Sequence, residues 1–249
     1  MAKRLDGRVA IVTGAGRNVG EAIARAFAEE GARVAVVDFK EERAKGAAAA
    51  INSGHAGAAL AVTCDVRSSA EVEGMVRRVA ETWGQVDILV NNVGIVDHQT
   101  VLELEEAEWD RIVDTTLKGV FLCAKYAAKQ MVEQGRGGRI INIASTSGHR
   151  GRKDSTAYPS AKGGVLNLTR SLAVQLAPHR IRVNSITPNR VLTTVDSDER
   201  PRVYEKIGNL IGRPCTPKDV ANVAVFLATD ETDFLTGIDI PVDGGVLAI

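Results

Sequence analysis

The sequence predicts an α/β fold in which helices cover both faces of a doubly wound parallel sheet. Short apolar runs of strand length alternate with longer segments of helical periodicity along most of the 249 residues. Polar residues or glycines directly follow most of these runs, as they do where parallel strands end beside a ligand site. No linker-like stretch interrupts the alternation, so we expect one domain over residues 1–249, although two small domains would also suit the length.

The first elements form a βαβ unit. A β-branched run at residues 8–13 leads into a glycine-rich turn, and an alanine-rich helix then extends from Val19 to a stop at Gly31. A second apolar run at residues 32–37 completes the unit, whose crossover makes the two strands parallel. The same alternation predicts further strands at residues 58–62, 86–90, 139–143 and 181–186, and helices at residues 41–51, 68–83, 105–131 and 158–176.

The turn between the first strand and the first helix contains Gly14, Gly16 and Gly20. Glycines at such a turn let backbone N–H groups approach a pyrophosphate at the positive end of the following helix. The spacing departs from G-x-G-x-x-G, because three residues separate Gly16 from Gly20, and turns also need glycine for steric reasons alone. The loop therefore indicates a dinucleotide site only in combination with its place in the βαβ unit.

Asp38 directly follows the second strand, and Phe39 rather than a cationic residue comes next. A carboxylate at this position accepts hydrogen bonds from an adenosine ribose and repels a 2′-phosphate. Arg17 in the glycine loop would favour a phosphorylated ribose if it faced the cofactor, but it is equally a solvated arginine. We predict NAD as the cofactor, with NADP less favoured; the alternative for Asp38 is an ordinary polar strand end.

Tyr158 and Lys162 are four residues apart and share one face if this segment opens a helix. Pro159 suits the first turn, where its missing N–H would lack a partner anyway. A tyrosine phenol in water has a pKa of about 10, and a nearby ammonium lowers it towards the range of a useful base. The alternative is that Tyr158 and Lys162 are two surface residues at helical spacing.

Polar or special residues stand at the carboxyl ends of five predicted strands. In a doubly wound sheet these ends meet along one edge, where the ligand binds. This coincidence predicts that one shared site includes Asp38, Asp65, Asn91, Ser145 and Pro188.

The composition excludes several classes of partner. Basic and acidic residues balance at 31 each, which argues against a nucleic acid or an anionic membrane surface. No apolar run approaches the roughly 20 residues of a membrane span, so we expect a soluble, cytoplasmic protein. The three cysteines and four histidines are scattered without paired or metal-ligand spacing, so we expect no metal site.

Several motifs together resemble the short-chain dehydrogenase/reductase family over nearly the whole chain. The segment from Thr13 to Gly20 resembles the TGxxxGxG cofactor loop of that family, and Asn91-Asn92-Val93-Gly94 is similar to its NNAG motif. Ser145, Tyr158 and Lys162 match its Ser and YxxxK site, and the closing segments Gly212-Arg213, Thr236-Gly237 and Val242-Asp243-Gly244-Gly245 are similar to those of its single-domain members, including the 3-oxoacyl reductases.

The resemblance implies a Rossmann-type fold and hydride transfer between nicotinamide and a carbonyl or carbinol carbon. It implies that Tyr158 is the general acid or base, that Ser145 donates to the substrate oxygen, and that Lys162 lowers the pKa of Tyr158 and binds the nicotinamide ribose. The implied cofactor contacts are Gly14, Arg17, Asn18, Val19, Gly20, Asp38, Phe39, Asp65, Val66, Asn92, Gly94, Tyr158, Lys162, Pro188, Val191 and Thr193.

Three residues depart from the family pattern. Asn18 and Asn189 stand where glycines are usual, and asparagine tolerates positive φ better than most residues. Thr116 stands where many relatives have an asparagine that positions a proton-relay water. A hydroxyl cannot reproduce the geometry of an amide, so we assign Thr116 to the catalytic set and hypothesise slower or rerouted proton release.

The substrate region is less specific. His149, Arg150, Arg152, Lys153 and Arg190 form a cationic rim that fits an anionic substrate, although a solvated loop or subunit contact explains it as well. Residues 189–213 are predicted to form a lid over the substrate.

Three functions remain open from the sequence. The first is an NAD-dependent dehydrogenase of a secondary alcohol or ketone. The second is a 3-oxoacyl thioester reductase, and the third is a nicotinamide-binding regulator without turnover. The family resemblance also implies a homotetramer that pairs through the helices at residues 105–131 and 158–176.

Overall fold

The sheet contains seven parallel strands in the order β3-β2-β1-β4-β5-β6-β7. The computed structural model describes residues 3–192 and 208–249. The strands are β1 (Val9–Thr13), β2 (Arg33–Asp38), β3 (Ala59–Thr63), β4 (Ile88–Asn91), β5 (Gly138–Ile143), β6 (Ile181–Pro188) and β7 (Asp239–Val242). Each predicted strand is present with ends that differ by a few residues, and β7 is additional.

The helices lie on both faces of this sheet, which confirms the predicted fold class. They are α1 (Asn18–Glu29), α2 (Glu41–Gly54), α3 (Ser69–Trp83), α4 (Glu106–Val113), α5 (Gly119–Gln134), α6 (Ala157–Leu176) and α7 (Pro217–Ala228). One apolar layer packs α1, α2 and α7 on one face, through side chains such as Phe27 and Ile51. A second layer packs α3 and α5 on the other face, through side chains such as Val79 and Met131.

Local sequence explains where several helices begin and end. The Ser68 hydroxyl accepts a hydrogen bond from the Glu71 N–H at 3.3 Å and caps α3. The Glu71 carboxylate accepts from the Asp65 N–H rather than from the Ser68 N–H, so the pair does not form a capping box. Gly84 and Gly135 end α3 and α5 in the left-handed region, at φ 77° and 65°.

The long helix predicted at residues 105–131 is interrupted. A π-helical turn at Asp114–Lys118 separates α4 from α5 and contains the fully buried Thr116. Each flanking helix keeps its own period of about 3.6 residues, and the turn shifts only the phase between them, so the sequence pattern predicted a single helix. Such turns occur frequently at functional sites.

The sheet reverses its direction of growth between β1 and β4, which are neighbours although β2 and β3 come between them in sequence. This switch point opens a crevice beyond the carboxyl ends of the strands, where ligands bind in doubly wound sheets. Thr13, Asp38 and Asn91 stand at the ends of β1, β2 and β4 beside this crevice.

Candidate active site and cofactor pocket

The glycine loop is held in a conformation that other residues would strain. Gly14 has φ 60°, and a Cβ atom on Gly20 would lie 2.2 Å from the Gly14 carbonyl oxygen. Asn18 adopts φ 53°, which confirms that an asparagine can replace glycine here. Among the described residues only Asn18 and Arg180 combine a side chain with positive φ, so Asn189 does not use this tolerance. The loop thus presents backbone at the start of α1.

A cavity of about 400 Å³ lies at the switch point between the glycine loop and the ends of β2, β3 and β4. Ten of the predicted cofactor residues line it, namely Gly14, Arg17, Asn18, Val19, Asp38, Phe39, Asp65, Val66, Asn92 and Gly94. Of the five strand-end residues predicted to share one site, Asp38 and Asp65 line this cavity.

Other predicted cofactor residues lie away from the cavity. Gly20 is buried behind Gly14, and Pro188 ends β6 beside Val242 of β7. Val191 forms a bridge with Cys215 and packs against the core. Thr193 and most of the predicted lid at residues 189–213 lie outside the described residues.

Asp38 is 6% exposed and holds its carboxylate at the mouth of the glycine loop. Its Oδ1 accepts from the Lys40 N–H at 3.0 Å, and its Oδ2 accepts from the Gly16 N–H at 3.3 Å. A Cβ atom on Gly16 would lie 2.7 Å from Oδ2, so this close approach needs glycine. The two N–H donors fix the orientation of the carboxylate and leave lone pairs for further donors.

Besides Arg17, three arginines that the sequence analysis did not identify line the same cavity: Arg43, Arg67 and Arg111. Arg67 pairs with Asp65 through Nη2 and Oδ2 at 2.6 Å, and this side-chain bond lowers the pKa of Asp65. Arg111 pairs with Glu108 in the same way at 2.6 Å. The sequence carries only a weak signal for these arginines, because they stand within helices or just after a strand rather than in a motif.

The loop after β4 binds the glycine loop directly. The Asn92 Nδ2 donates to the carbonyl oxygens of Thr13 and Gly14, both at 3.1 Å. Farther along, the Ile95 N–H donates to the Thr116 hydroxyl at 3.2 Å. Asn92 thereby closes one wall of the cavity, and Thr116 supports the other end of the same loop.

The predicted catalytic residues converge at the start of α6. Tyr158 and Lys162 lie on one helix face, with the Lys162 Nζ 5.8 Å from the centre of the Tyr158 ring. Lys162 is 2% exposed and its Nζ donates to the Ile143 carbonyl oxygen at 2.6 Å. Ser145 is 9% exposed, and its hydroxyl accepts from the Ser147 N–H at 3.1 Å, which leaves the hydroxyl proton available.

Burial dominates the acid–base properties of this pair. Burial raises the pKa of Tyr158, and the Ser145 hydroxyl and the Arg152 charge oppose this rise only in part. Burial also lowers the pKa of Lys162 to about 8. The sequence led us to expect that Lys162 lowers the pKa of Tyr158, but in the structure that pKa is raised. Desolvation of the phenol outweighs the effect of the neighbouring groups.

Gly148 is a site residue that the motifs did not indicate. It ends the single 3₁₀ turn Thr146–Gly148, and a Cβ atom on it would lie 2.8 Å from the Lys162 carbonyl carbon. Its lack of a side chain lets the Ser145 turn rest directly on α6. Glycine at this point is needed to bring Ser145 and Tyr158 together.

Gly94 plays a similar part on the cofactor side. A Cβ atom at Gly94 would lie 3.2 Å from the Lys162 Nζ and 3.6 Å from the Thr116 Cγ2. The predicted catalytic residues Lys162 and Thr116 therefore adjoin the cavity at Gly94.

The residues present fit a nicotinamide dinucleotide. Three glycines form a backbone cradle at the N-terminus of α1, a carboxylate stands at the end of β2, and the buried ammonium of Lys162 lies between the cavity and Tyr158. These are the donors and acceptors required by a pyrophosphate and two riboses.

Comparisons with known proteins agree with this geometry. A family model described as enoyl-(acyl carrier protein) reductase matches residues 14–247. The chain is 39% identical to a (+)-cis,cis-nepetalactol synthase of Nepeta racemosa, covering 100% of this chain and 95% of the relative. It is 38% identical to a meso-2,3-butanediol dehydrogenase of Serratia marcescens, covering 98% and 96%.

A crystal structure of a short-chain type dehydrogenase/reductase from Mycobacterium marinum superposes with a TM-score of 0.93 at 37% identity, covering 100% of this chain and 98% of that one. The chain therefore belongs to the short-chain dehydrogenase/reductase family, and it is an oxidoreductase that acts on CH–OH groups.

The described part of the chain contains neither a membrane-spanning helix nor a cluster of metal ligands. None of the helices among residues 3–192 and 208–249 is long and apolar enough to span a bilayer. Within the same ranges, no three His, Cys, Asp or Glu side chains are grouped as metal ligands would be.

Proposed function

We propose that this protein is an NAD-dependent dehydrogenase that interconverts a secondary alcohol and its ketone. The observation that carries the choice of NAD is the Asp38 carboxylate, which is buried, held by the N–H groups of Gly16 and Lys40, and directed into the cofactor cavity. A 2′-phosphate placed on the adenosine ribose would face this carboxylate at close range, whereas ribose hydroxyls would donate to it.

The arginines of the cavity are the counterargument. Arg17 and Arg43 both line the cavity near Asp38, and a guanidinium binds phosphate well. Phe39, however, stands where a further cation would be most useful and is 64% exposed, so it offers an apolar face to an adenine ring. With Asp38 in place, we expect Arg17 to bind the pyrophosphate rather than a 2′-phosphate.

The catalytic side chains have distinct roles in this proposal. The bound nicotinamide supplies the hydride chemistry. Ser145 donates its free hydroxyl proton to the substrate oxygen, and Tyr158 exchanges a proton with that same oxygen. Lys162 holds a positive charge against the phenol and the cofactor ribose. Lys162 and Thr116 both lie against Gly94, and in this proposal Thr116 takes part in proton release.

The cofactor choice is tested by measuring kcat/KM for NAD and NADP in the wild type and in Asp38→Ser. The wild type should prefer NAD. The variant should lose about 10- to 100-fold with NAD, because hydrogen bonds to a charged group contribute about 1.5 to 3 kcal/mol each, and should gain with NADP. Asp6→Ser, an exposed carboxylate outside the cavity, serves as the matched control. An NADP preference in the wild type would refute the proposal.

The substrate class is tested with a panel of vicinal diols, cyclic and terpenoid secondary alcohols, hydroxy acids and 3-hydroxyacyl thioesters. The butanediol dehydrogenase and nepetalactol synthase relatives place diols and terpenoid compounds first in this panel. Tyr158→Phe is the control, and activity that survives it does not come from this site. Cofactor binding without any turnover would favour a regulator.

An anionic substrate, including a 3-oxoacyl thioester, is the second candidate. Its support depends on how much positive charge the cationic rim presents to a substrate. Arg152 pairs with Asp154 at 3.1 Å, and the His149 Nε2 lies 2.9 Å from an oxygen of Asp239. These acids already compensate part of the cationic rim, so a neutral alcohol is the simpler substrate. A hydroxy acid or thioester that outperforms every neutral alcohol would reverse this order.

We also propose that the chain forms a homotetramer that uses the outer faces of α5 and α6. Phe121 and Val174 on these helices are 44% and 77% exposed, and a groove between α5 and α6 is lined by Phe121, Val132, Leu172 and Leu176. Analytical ultracentrifugation of the wild type and of Val174→Glu tests this assembly. A wild type that sediments as a monomer at micromolar concentration would refute it.

A further inference from the structure

A buried carboxylate from a distant loop closes the N-terminus of the catalytic helix. Asp97 is 3% exposed and lies in the loop after β4. Its Oδ1 accepts from the Ser155 hydroxyl at 2.5 Å and from the Tyr158 N–H at 3.0 Å. Its Oδ2 accepts from the N–H groups of Thr156 at 2.7 Å and Ala157 at 3.2 Å. Four donors therefore converge on one carboxylate.

Helix α6 has no cap of its own. Thr156, at the N-cap position, makes no side-chain capping bond, and its hydroxyl instead donates to the Gln99 carbonyl oxygen at 3.2 Å. The first N–H groups of a helix lack intrahelical partners and carry the positive end of its dipole. A carboxylate satisfies them better than a hydroxyl, and Asp97 supplies it from outside the helix.

The charge of Asp97 is stable in this position. Burial raises the pKa of this carboxyl, but the Ser155 hydroxyl and the three backbone N–H groups lower it further, to about 2. Asp97 is therefore ionised at any pH at which the enzyme would work. The cost of burying a lone charge is offset by its four hydrogen bonds.

The loop that carries Asp97 also contacts the cofactor and proton-relay sides of the site. Asn92 binds the glycine loop, and Ile95 binds the hydroxyl of Thr116, before the chain reaches Asp97. One short segment thus spans from the cofactor cradle to the backbone N–H of Tyr158. Displacement of either end would change the distance between the nicotinamide position and the phenol.

We propose that Asp97 is a positioning residue that fixes Tyr158 against the cofactor site by holding the first turn of α6 to the loop after β4. This inference rests on the proposed dehydrogenase function, because it assigns Asp97 a role in that reaction. Asp97 contacts only backbone N–H groups and Ser155 in this region, so it acts through Tyr158 and takes no part in proton transfer itself.

The test compares the wild type with Asp97→Asn, which keeps the size of the side chain but removes its charge and places an amide donor among the N–H groups. We expect kcat to fall about 10- to 100-fold, because a displacement of about 1 Å in a reacting group costs on this order. KM for NAD should change less than threefold. The primary deuterium isotope effect on kcat should rise, because hydride and proton transfer become slower than product release.

The isotope effect separates positioning from simple loss of folded enzyme. A variant that only destabilises the fold loses active protein, which NADH-binding stoichiometry would count, and leaves the isotope effect of the remaining molecules unchanged. That result, or a kcat within twofold of the wild type, would overturn the proposal.

The matched control is Glu103→Gln in the same loop. The Glu103 carboxylate accepts from the N–H and hydroxyl of Thr100, at 3.0 and 2.8 Å, and makes no bond to α6. It should leave kcat and the isotope effect unchanged. If Asp97→Asn does not fold, Ser155→Ala removes one of the four donors and should give the same effects in weaker form, with a fall in kcat of about two- to fivefold.

A measurement without turnover keeps this inference separate from the proposed function. The phenol of Tyr158 can be titrated by the ultraviolet difference between each protein and its Tyr158→Phe counterpart. In Asp97→Asn the apparent pKa of Tyr158 should move down towards 10, because a displaced ring is less buried. If the wild type turns over no alcohol in the panel but the apparent pKa of Tyr158 still falls in Asp97→Asn, the proposed function is refuted and the positioning role is retained. If the apparent pKa of Tyr158 is the same in both proteins, the positioning role is refuted.

Discussion

Replacing Lys162, a proposed catalytic residue, with methionine should stabilise the protein at neutral pH. Lys162 is 2% exposed, and burial lowers its pKa from 10.5 to about 8. The difference of about 2.5 pH units corresponds to about 3 kcal/mol, at 1.36 kcal/mol for each unit. Below pH 8 the folded protein bears this cost, because its ammonium is buried while that of the unfolded chain is in water.

The hydrogen bond of Lys162 offsets part of the gain. Its Nζ donates to the Ile143 carbonyl oxygen at 2.6 Å, and such a bond from a charged donor contributes about 1.5 to 3 kcal/mol. We therefore expect Lys162→Met to raise the free energy of unfolding at pH 7 by about 0 to 2 kcal/mol. Methionine fills the space with an unbranched apolar chain of similar length.

The pH dependence of the free energy of unfolding tests this reasoning more sharply. A salt-bridged lysine makes a protein less stable as the pH rises, whereas Lys162 should make it more stable. Between pH 8 and 10.5 the unfolded chain binds the Lys162 proton more tightly than the folded protein does, so stability rises with pH over this window. At pH 9.5 the wild type should have gained about 2 kcal/mol relative to Lys162→Met. The advantage of the variant at pH 7 should therefore shrink and reverse.

Urea unfolding followed by tryptophan fluorescence from pH 7 to 9.5, at a fixed protein concentration, measures this difference. Lys45→Met is the control, because the Lys45 side chain is 68% exposed in α2 and its removal relieves no desolvation. Parallel stability curves for the wild type and Lys162→Met over this range would refute the reasoning, since they would show that Lys162 is not desolvated in the folded protein.

Three further changes test other parts of the structure. Gly20→Ala should weaken NADH binding at least about tenfold and lower the free energy of unfolding by about 1 to 3 kcal/mol, because the new Cβ would lie 2.2 Å from the Gly14 carbonyl oxygen. Fluorescence titration and thermal melts measure the two effects, with Gly46→Ala in α2 as the control because no heavy atom lies within 4 Å of its Cβ. Thr116→Asn should raise turnover, by up to about tenfold, without changing the cofactor Kd, and steady-state kinetics that show no rise would contradict the relay hypothesis. Thr216→Ala removes the capping box of α7 and should cost about 1 kcal/mol in chemical unfolding with cofactor affinity unchanged.

The periodicity of the sequence was sufficient to locate the first six strands, because all of them except β3 are almost continuously buried runs. It also located the helices between them, except for the break at Asp114–Lys118. The last two elements were not predicted from periodicity. Strand β7 contains only four residues, one of them a proline, and none of them is fully buried. Helix α7 did carry a signal, since Thr216, Pro217 and Asp219 are the residues of a capping box with proline at the first position.

The site residues also differ in how well a local sequence pattern predicts them. Residues that face the cavity from strand ends, such as Asp38 and Asp65, were predictable because a parallel sheet brings its strand ends together. Asp97 and Gly148 were not, because their partners lie in other elements: Asp97 binds an N-terminus about 60 residues away, and Gly148 touches the backbone of Lys162. No local pattern distinguishes these two residues from ordinary loop positions.

The acid–base pair shows why spacing alone could not give the direction of the pKa of Tyr158. The i, i+4 relation predicted that Lys162 faces the phenol, and it does. The same packing buries Lys162 and partly buries Tyr158, so both groups are desolvated. Burial disfavours the phenolate and the ammonium alike, so the structure raises one pKa and lowers the other. Lys162 is therefore the first of the two groups to lose its proton, with a pKa of about 8, and Tyr158 keeps its proton to higher pH. The packing that produces both shifts involves contacts from outside α6: Gly148 lets the Ser145 turn rest on the backbone of Lys162, and Asp97 binds the N–H of Tyr158.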